Sequence, residues 1–184
     1  IMRIFIYFFL IIIYACDENN SIRTYSIPKQ NNTLKTIEDK LEKNNLFFSW
    51  SSPSHWMEGN VSPMRLASYI VPFSHGEADL SITNFSGDGG GLLANVNRWR
   101  GQLKLSSQTL EQISKNMYIG ESGLGQFKLF KIFNNDDHST AFLCGVFEIE
   151  GSTIFAKLSA PLLGVNEIEE EFKKFCSSFK YNDK

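Results

Sequence analysis

Three runs decide the fold: FKLFKIF (127–133), TAFLCGVFEI (140–149) and TIFAKL (153–158). Each reads as a strand, and their close spacing links them as hairpins. Phe130 and Ile132 alternate with Leu129 and Phe133, so apolar side chains point to both sides. Both faces of this sheet are therefore expected to be covered. A helix closes the chain, with Asn166 and Glu169 in a capping-box pattern behind Val165. Acidic residues fill its first turn, and Ile168, Phe172, Cys176 and Phe179 form its apolar stripe.

Toward the N-terminus, Leu46–Trp50 is a strand candidate, followed by a turn through Pro53 to Trp56. Met64–Val71 and Ala78–Phe85 follow as strands; Ala78, Leu80 and Ile82 face one side, Glu77, Asp79 and Ser81 the other. The glycine cluster at 87–91 opens a helix whose Leu92, Val96, Trp99 and Leu103 share a stripe, and Thr109–Met117 is a second helix. Strands, helices, strands, helix, without regular βα alternation, give an α+β domain. The expected architecture is a mainly antiparallel sheet of about six strands, with helices on both faces, an α/β/α sandwich over residues 46–184.

The preceding segments have a different character. Arg3 supplies a short positive region, and Ile4–Tyr14 is an unbroken apolar run. It suits a signal peptide and falls short of the roughly 18 residues that span a bilayer. Ile12-Ile13-Tyr14-Ala15-Cys16 resembles the lipobox of bacterial lipoproteins. That resemblance implies cleavage of residues 1–15 and lipidation of Cys16, with several acyl chains giving a stable membrane anchor. Residues 16–45 then read as the lipidated cysteine and a polar, flexible tether. The expected location is the bacterial cell envelope, membrane-anchored on its periplasmic or surface side.

Of the 18 Lys and Arg residues, removal of residues 1–15 takes away only Arg3, leaving 17 basic against 20 acidic groups. No basic block favours nucleic acid as a partner. Cys144 and Cys176 lie on core-facing positions, which favours buried thiols over a disulfide, although an exported compartment permits one. No CxxC or Cys/His spacing marks a metal site, and no cofactor motif stands out.

The unusual segment is SGDGGGLLANVNRWRGQLKL (86–105). Gly89, Gly90 and Gly91 leave amide N–H groups uncovered at a helix N-terminus, which favours an anion. Asn95, Arg98 and Gln102 project along one line beside the apolar stripe. Arg98 and Arg100 flank Trp99, and each is able to grip a carboxylate or phosphate in bidentate fashion. These seven residues form the expected ligand- or partner-binding site. A structural alternative stays open: Asp88 caps the helix, the glycines serve the turn, and the arginines bind Glu77 or Asp79. Second-rank candidates are Arg65, Glu77, Asp79 and Lys157, the last an inward charge that needs a partner.

Several motifs carry a further resemblance. They are Trp50, Pro53 and Trp56; Met64-Arg65-Leu66-Ala67-Ser68-Tyr69; Gly76-Glu77-Ala78-Asp79-Leu80-Ser81; GGGLLANVNRWRGQ; and Phe155-Ala156-Lys157-Leu158. Over residues 46–180 they resemble a family of uncharacterised bacterial exported lipoproteins, and the element order is similar to the PsbP-like α/β/α sandwich. The resemblance implies an accessory or assembly role rather than catalysis. His55, His75 and His138 share no spacing, and no GxSxG elbow marks a serine nucleophile. Two functions are therefore carried forward. The first is a non-catalytic domain binding an envelope protein or small anionic ligand. The second is an envelope hydrolase using the Glu77/Asp79 carboxylates.

Overall fold

The computed structural model describes residues 47–60 and 62–182. The expected signal peptide, Cys16 and tether lie outside the described residues. The first strand, β1 (Phe48–Ser49), pairs with the last, β9 (Lys180–Tyr181). Between them come β2 (Met57–Glu58), β3 (Ala67–Phe73) and β4 (Gly76–Ser86). Helices α1 (Leu92–Gln102) and α2 (Leu110–Lys115) follow. Next are β5 (Tyr118–Ser122), β6 (Gly125–Phe133), β7 (Ala141–Ile149), β8 (Ser152–Ala160) and α3 (Leu162–Ser177).

The main sheet has seven strands in the order β2-β3-β4-β8-β7-β6-β5, every neighbouring pair antiparallel. It consists of two meanders, β2–β4 and β5–β8, zipped together where β4 lies against β8. The chain leaves β4 in the middle of the sheet and re-enters at the far edge, on β5. Helices α1 and α2 make that crossing.

Alternation along β7 divides the core in two, as a period of two requires. Leu143 and Phe147 join a cluster with Val165, Ile168, Phe172 and Phe175 of α3. Phe142, Cys144 and Val146 join another with Val96 and Trp99 of α1 and Ile113 of α2. Gly145 lets α3 ride close to β7, because a Cβ there would lie 2.9 Å from the Cys176 sulfur. The α3 cluster also holds an aromatic seam: Phe147 stacks on Phe179 at 4.5 Å, and Phe179 stacks on Trp50 at 5.3 Å. Both thiols are free and fully buried, Cys176 in the α3 cluster and Cys144 in the other. Burial pushes the pKa of each upward.

Three expectations need correction. The main sheet has seven strands rather than about six. The Leu46–Trp50 candidate is a two-residue strand that pairs with β9 instead of joining the sheet. In its place stand β2, only two residues long, and β5, whose YIGES has little apolar pattern. Finally, α3 starts at Leu162 behind Pro161, five residues before the expected start. The Leu162 N–H donates to His138 O, and the Val165 N–H to Pro161 O. Asn166 is thus an exposed position inside the helix, and Glu169 pairs with Lys131 and Lys173 instead of closing a cap. The first turn fits against β3 because Gly164 has no Cβ, which would lie 2.8 Å from the Phe73 ring.

Candidate functional site

The glycine loop is built for its own closure. Gly89 (φ +60°) sits where a Cβ would come within 2.9 Å of the Phe155 ring and 3.2 Å of Thr153 Cβ. Only glycine meets both the left-handed backbone and the close approach. The Asp88 carboxylate accepts from the Gly90 N–H at 2.9 Å, and the Gly91 N–H donates to Asp88 O at 3.0 Å. Gly91 is the N-cap of α1, and no side chain caps the helix. Asp88 therefore shapes the loop rather than the helix end.

Asn95 ties this loop to α1. Only 3% exposed, it donates through Nδ2 to Gly89 O (2.9 Å) and Gly91 O (2.8 Å). Its Oδ1 accepts from Arg98 Nη1 at 2.9 Å, so one amide joins the loop to an exposed guanidinium. Gln102, further along the same line, accepts from Lys157 Nζ at 2.6 Å. Trp99 is 6% exposed and meets Phe155 edge to face at 5.8 Å, which makes it a core residue.

Arg100 points elsewhere. Its Nε donates to Ser106 O at 2.8 Å, and burial lowers its pKa. Beside it lies an open cleft of about 400 Å³ between α1, α2 and β6, lined by Val96, Ile113, Asn116 and Phe130 among others. Two features that the sequence reading missed hold this cleft in shape. Asn97 grips the backbone of Gln108 through both ends of its amide, at 3.0 and 2.8 Å. The C-terminus of α1 closes in a Schellman motif: the Leu105 N–H donates to Arg100 O and the Lys104 N–H to Gly101 O. Lys104 takes the left-handed position there, at φ 58°. Polar residues at positions 97 and 108 were the available signal, but nothing local links them.

Neither α1 arginine has a carboxylate partner among the described residues. Asp79 is held instead by Arg65, which donates Nη1 and Nη2 to its two oxygens at 2.8 and 2.9 Å. Asp79 also heads the causes that raise the Arg65 pKa. Lys157 is half-buried, its ammonium 3.8 Å from the centroid of the Phe142 ring. Burial lowers its pKa, and the Asp79 carboxylate opposes that shift. The structure thus gathers Arg65, Asp79, Lys157 and Gln102 on one flank of α1 and sets Arg100 on another.

Glu77 is exposed on β4, and no described histidine bonds to it or to Asp79. His75 shares a hydrogen bond with Ser74 Oγ, which donates to Glu167 at 2.6 Å; His55 faces Glu171 at 3.2 Å. Among the described residues no three His, Cys, Asp or Glu side chains group as metal ligands. No helix among them is long and apolar enough to cross a membrane.

No protein-family model and no curated protein sequence matches this chain. Among solved structures it is similar to the cyanobacterial PsbP protein (CyanoP) of Synechocystis sp. PCC 6803. Identity is 15% and the TM-score 0.48, over 74% of this chain and 87% of that one. It is also similar to a protein of Bacteroides thetaiotaomicron VPI-5482, at 14% identity and a TM-score of 0.44. That match covers 75% of this chain and 46% of the other, so this chain spans less than half the length of the Bacteroides protein.

Proposed function

We propose that the chain is an envelope lipoprotein, held to a membrane by lipid on Cys16, whose domain is a non-catalytic accessory module that binds an anionic partner through α1. The observation that carries this reading is the contrast among three arginines. Arg65 is clamped to Asp79, while Arg98 and Arg100 face outward from one helix with no carboxylate partner among the described residues. A guanidinium engaged only by neutral acceptors keeps its charge available for a carboxylate or phosphate on another molecule. A layered α/β/α arrangement of the PsbP-like kind, helices on both faces, is part of the same proposal. The two-cluster core, with α3 in one cluster and α1 and α2 in the other, supports it.

Two measurements test the proposal. Cys16→Ser is expected to move the chain out of the membrane fraction; retention after a high-salt wash defeats the anchor. A pull-down from membranes, with the anchored chain as bait, then compares Arg98→Ala and Arg100→Ala. At least one variant should keep its melting temperature and lose the captured partner. Two destabilised variants with normal capture would remove the binding role from α1.

A further inference from the structure

Phe47 and Tyr181 form an exposed aromatic pair at the ladder of β1 on β9. They are 49% and 46% exposed, and their rings stack at 6.3 Å with planes 20° apart. The pair is held from behind. Phe47 meets Phe48 edge to face at 5.3 Å, and Phe48 is 1% exposed, packed on Phe179 and Trp50. The Phe47 carbonyl also accepts from the Asn182 N–H at 2.9 Å. The seam beneath is already filled with rings, so neither exposed ring has room to fold inward. Lys180, also exposed, shares the short strand with Tyr181.

Position along the chain sets this pair apart from other exposed apolar side chains such as Met64 and Leu93. The chain enters the domain at Phe47, and residues 17–46 are all that separate it from Cys16. With lipid on Cys16, this end of the domain is the one joined directly to the bilayer, and the connection keeps it at high local concentration there. A surface affinity too weak to hold a free protein then suffices to orient an attached one. Aromatic rings suit the boundary between headgroups and acyl chains, and a neighbouring ammonium suits anionic headgroups.

We propose that the Phe47–Tyr181 pair inserts into the headgroup layer of the membrane that holds the anchor, so that the domain rests on this end instead of swinging freely. The rings behind the pair belong to the α3 cluster and α1 to the other, which leaves the α1 arginines out of this contact. The inference rests on the lipid-anchor reading and adds an orientation to it.

The test places the full processed chain in nanodiscs of phosphatidylcholine and phosphatidylglycerol, with mass spectrometry reporting the lipid on Cys16. Nitroxide-bearing lipids should broaden the NMR signals of Phe47, Lys180 and Tyr181 more than those of Met64 and Leu93, a readout on the unsubstituted chain that no folding defect disturbs. Phe47→Ser combined with Tyr181→Ser should erase that contrast at unchanged lipidation, while Met64→Ser combined with Leu93→Ser preserves it. Equal broadening at all five residues, stronger broadening at Met64 or Leu93, or a contrast that survives the loss of both rings would each overturn the inference. So would a dimer in sedimentation that the loss of both rings dissociates, since a second copy would then occupy the pair. A Cys16 without lipid removes the anchor reading alone. Binding of that chain to vesicles of the same lipids then decides the insertion: affinity should fall at least tenfold without the two rings, and equal affinity overturns it.

Discussion

The α3 cluster and the α1–α2 cluster share one sheet but are assembled differently. On the α3 side a sixteen-residue helix lays Val165, Ile168, Phe172 and Phe175 on the strands, and rings from both ends of the domain complete the seam. On the other side an eleven-residue and a six-residue helix are joined by loops held through side-chain to backbone bonds from Asn95, Asn97 and Asn134. The first arrangement buries its apolar stripe completely, with Val165 and Phe172 fully shielded from solvent. The second leaves a cleft, a glycine loop and two arginines without carboxylate partners among the described residues. Packing carries stability on one side; the other is the side that the proposed binding role assigns to an anionic partner.

The sharpest way to break this comparison is to empty each cluster in turn. Phe172→Ala removes a ring with no solvent exposure and should cost about 3–5 kcal/mol, a large share of the roughly 5–15 kcal/mol that stabilises a domain. Trp99→Ala should fall at the lower end of that range, near 3 kcal/mol, because the ring reaches the cluster margin. Urea denaturation of both variants decides it, and a larger loss at Trp99 would reverse the ranking of the two sides. Asn95→Ala comes next. It strips the bonds to Gly89 O and Gly91 O and should cost about 1–3 kcal/mol. Amide exchange at residues 87–91 should rise with it; unchanged protection would mean that the loop holds without its latch.

Strands β6, β7 and β8 were legible because their apolar runs are long and β-rich, and the stripe Leu92, Val96, Trp99 marked α1 well. A two-residue strand such as β2 carries no periodic signal, and β5 is set by its pairing with β6 rather than by YIGES itself. The capping pattern at Asn166 misled because an exposed helix face tolerates Asn and favours Glu. Within the site, the candidate residues were visible from their types, but their partners were not. Arg65 reaches Asp79 only through the register of β3 on β4, and the cleft forms where α1, α2 and β6 converge. Both are tertiary facts that sequence spacing does not encode.

Smaller effects sharpen the picture. Lys104 holds a left-handed conformation in the Schellman turn, so Lys104→Gly should raise stability by about 1 kcal/mol, read as a higher urea midpoint at unchanged slope. At Glu169, burial alone would raise the pKa, but hydrogen bonds from Lys131 and Lys173 outweigh it and hold the carboxyl below its ordinary value. Its stabilising contribution is therefore present above the unfolded glutamate pKa of about 4.3 and lost as pH falls through the lower folded value. Glu169→Gln should flatten that acid limb of the stability profile; an unchanged limb would show that the lysines contribute nothing. Smallest of all, Arg100→Ala should change stability by no more than about 0.5 kcal/mol, since it strands no buried carboxylate. A larger loss would move Arg100 from the free charges to the structural ones.

The short ladder of β1 on β9 has a mechanical consequence. Phe48 faces Tyr181 and Ser49 faces Lys180, and the Asn182 N–H donates to Phe47 O at 2.9 Å, so the chain enters the domain beside the place where it leaves. A load arriving through the residues before Phe47 meets this clasp before it reaches the seven-stranded sheet. Two residue pairs form a weak fastener, and behind them the rings of Phe48, Trp50 and Phe179 form a stronger one. Tension on the N-terminal side would have to part the β1 ladder and draw the buried Phe48 ring, which lies on β1, out of that aromatic stack. A pull too weak to draw Phe48 out would thus leave the seven-stranded sheet, α1 and its arginines undisturbed.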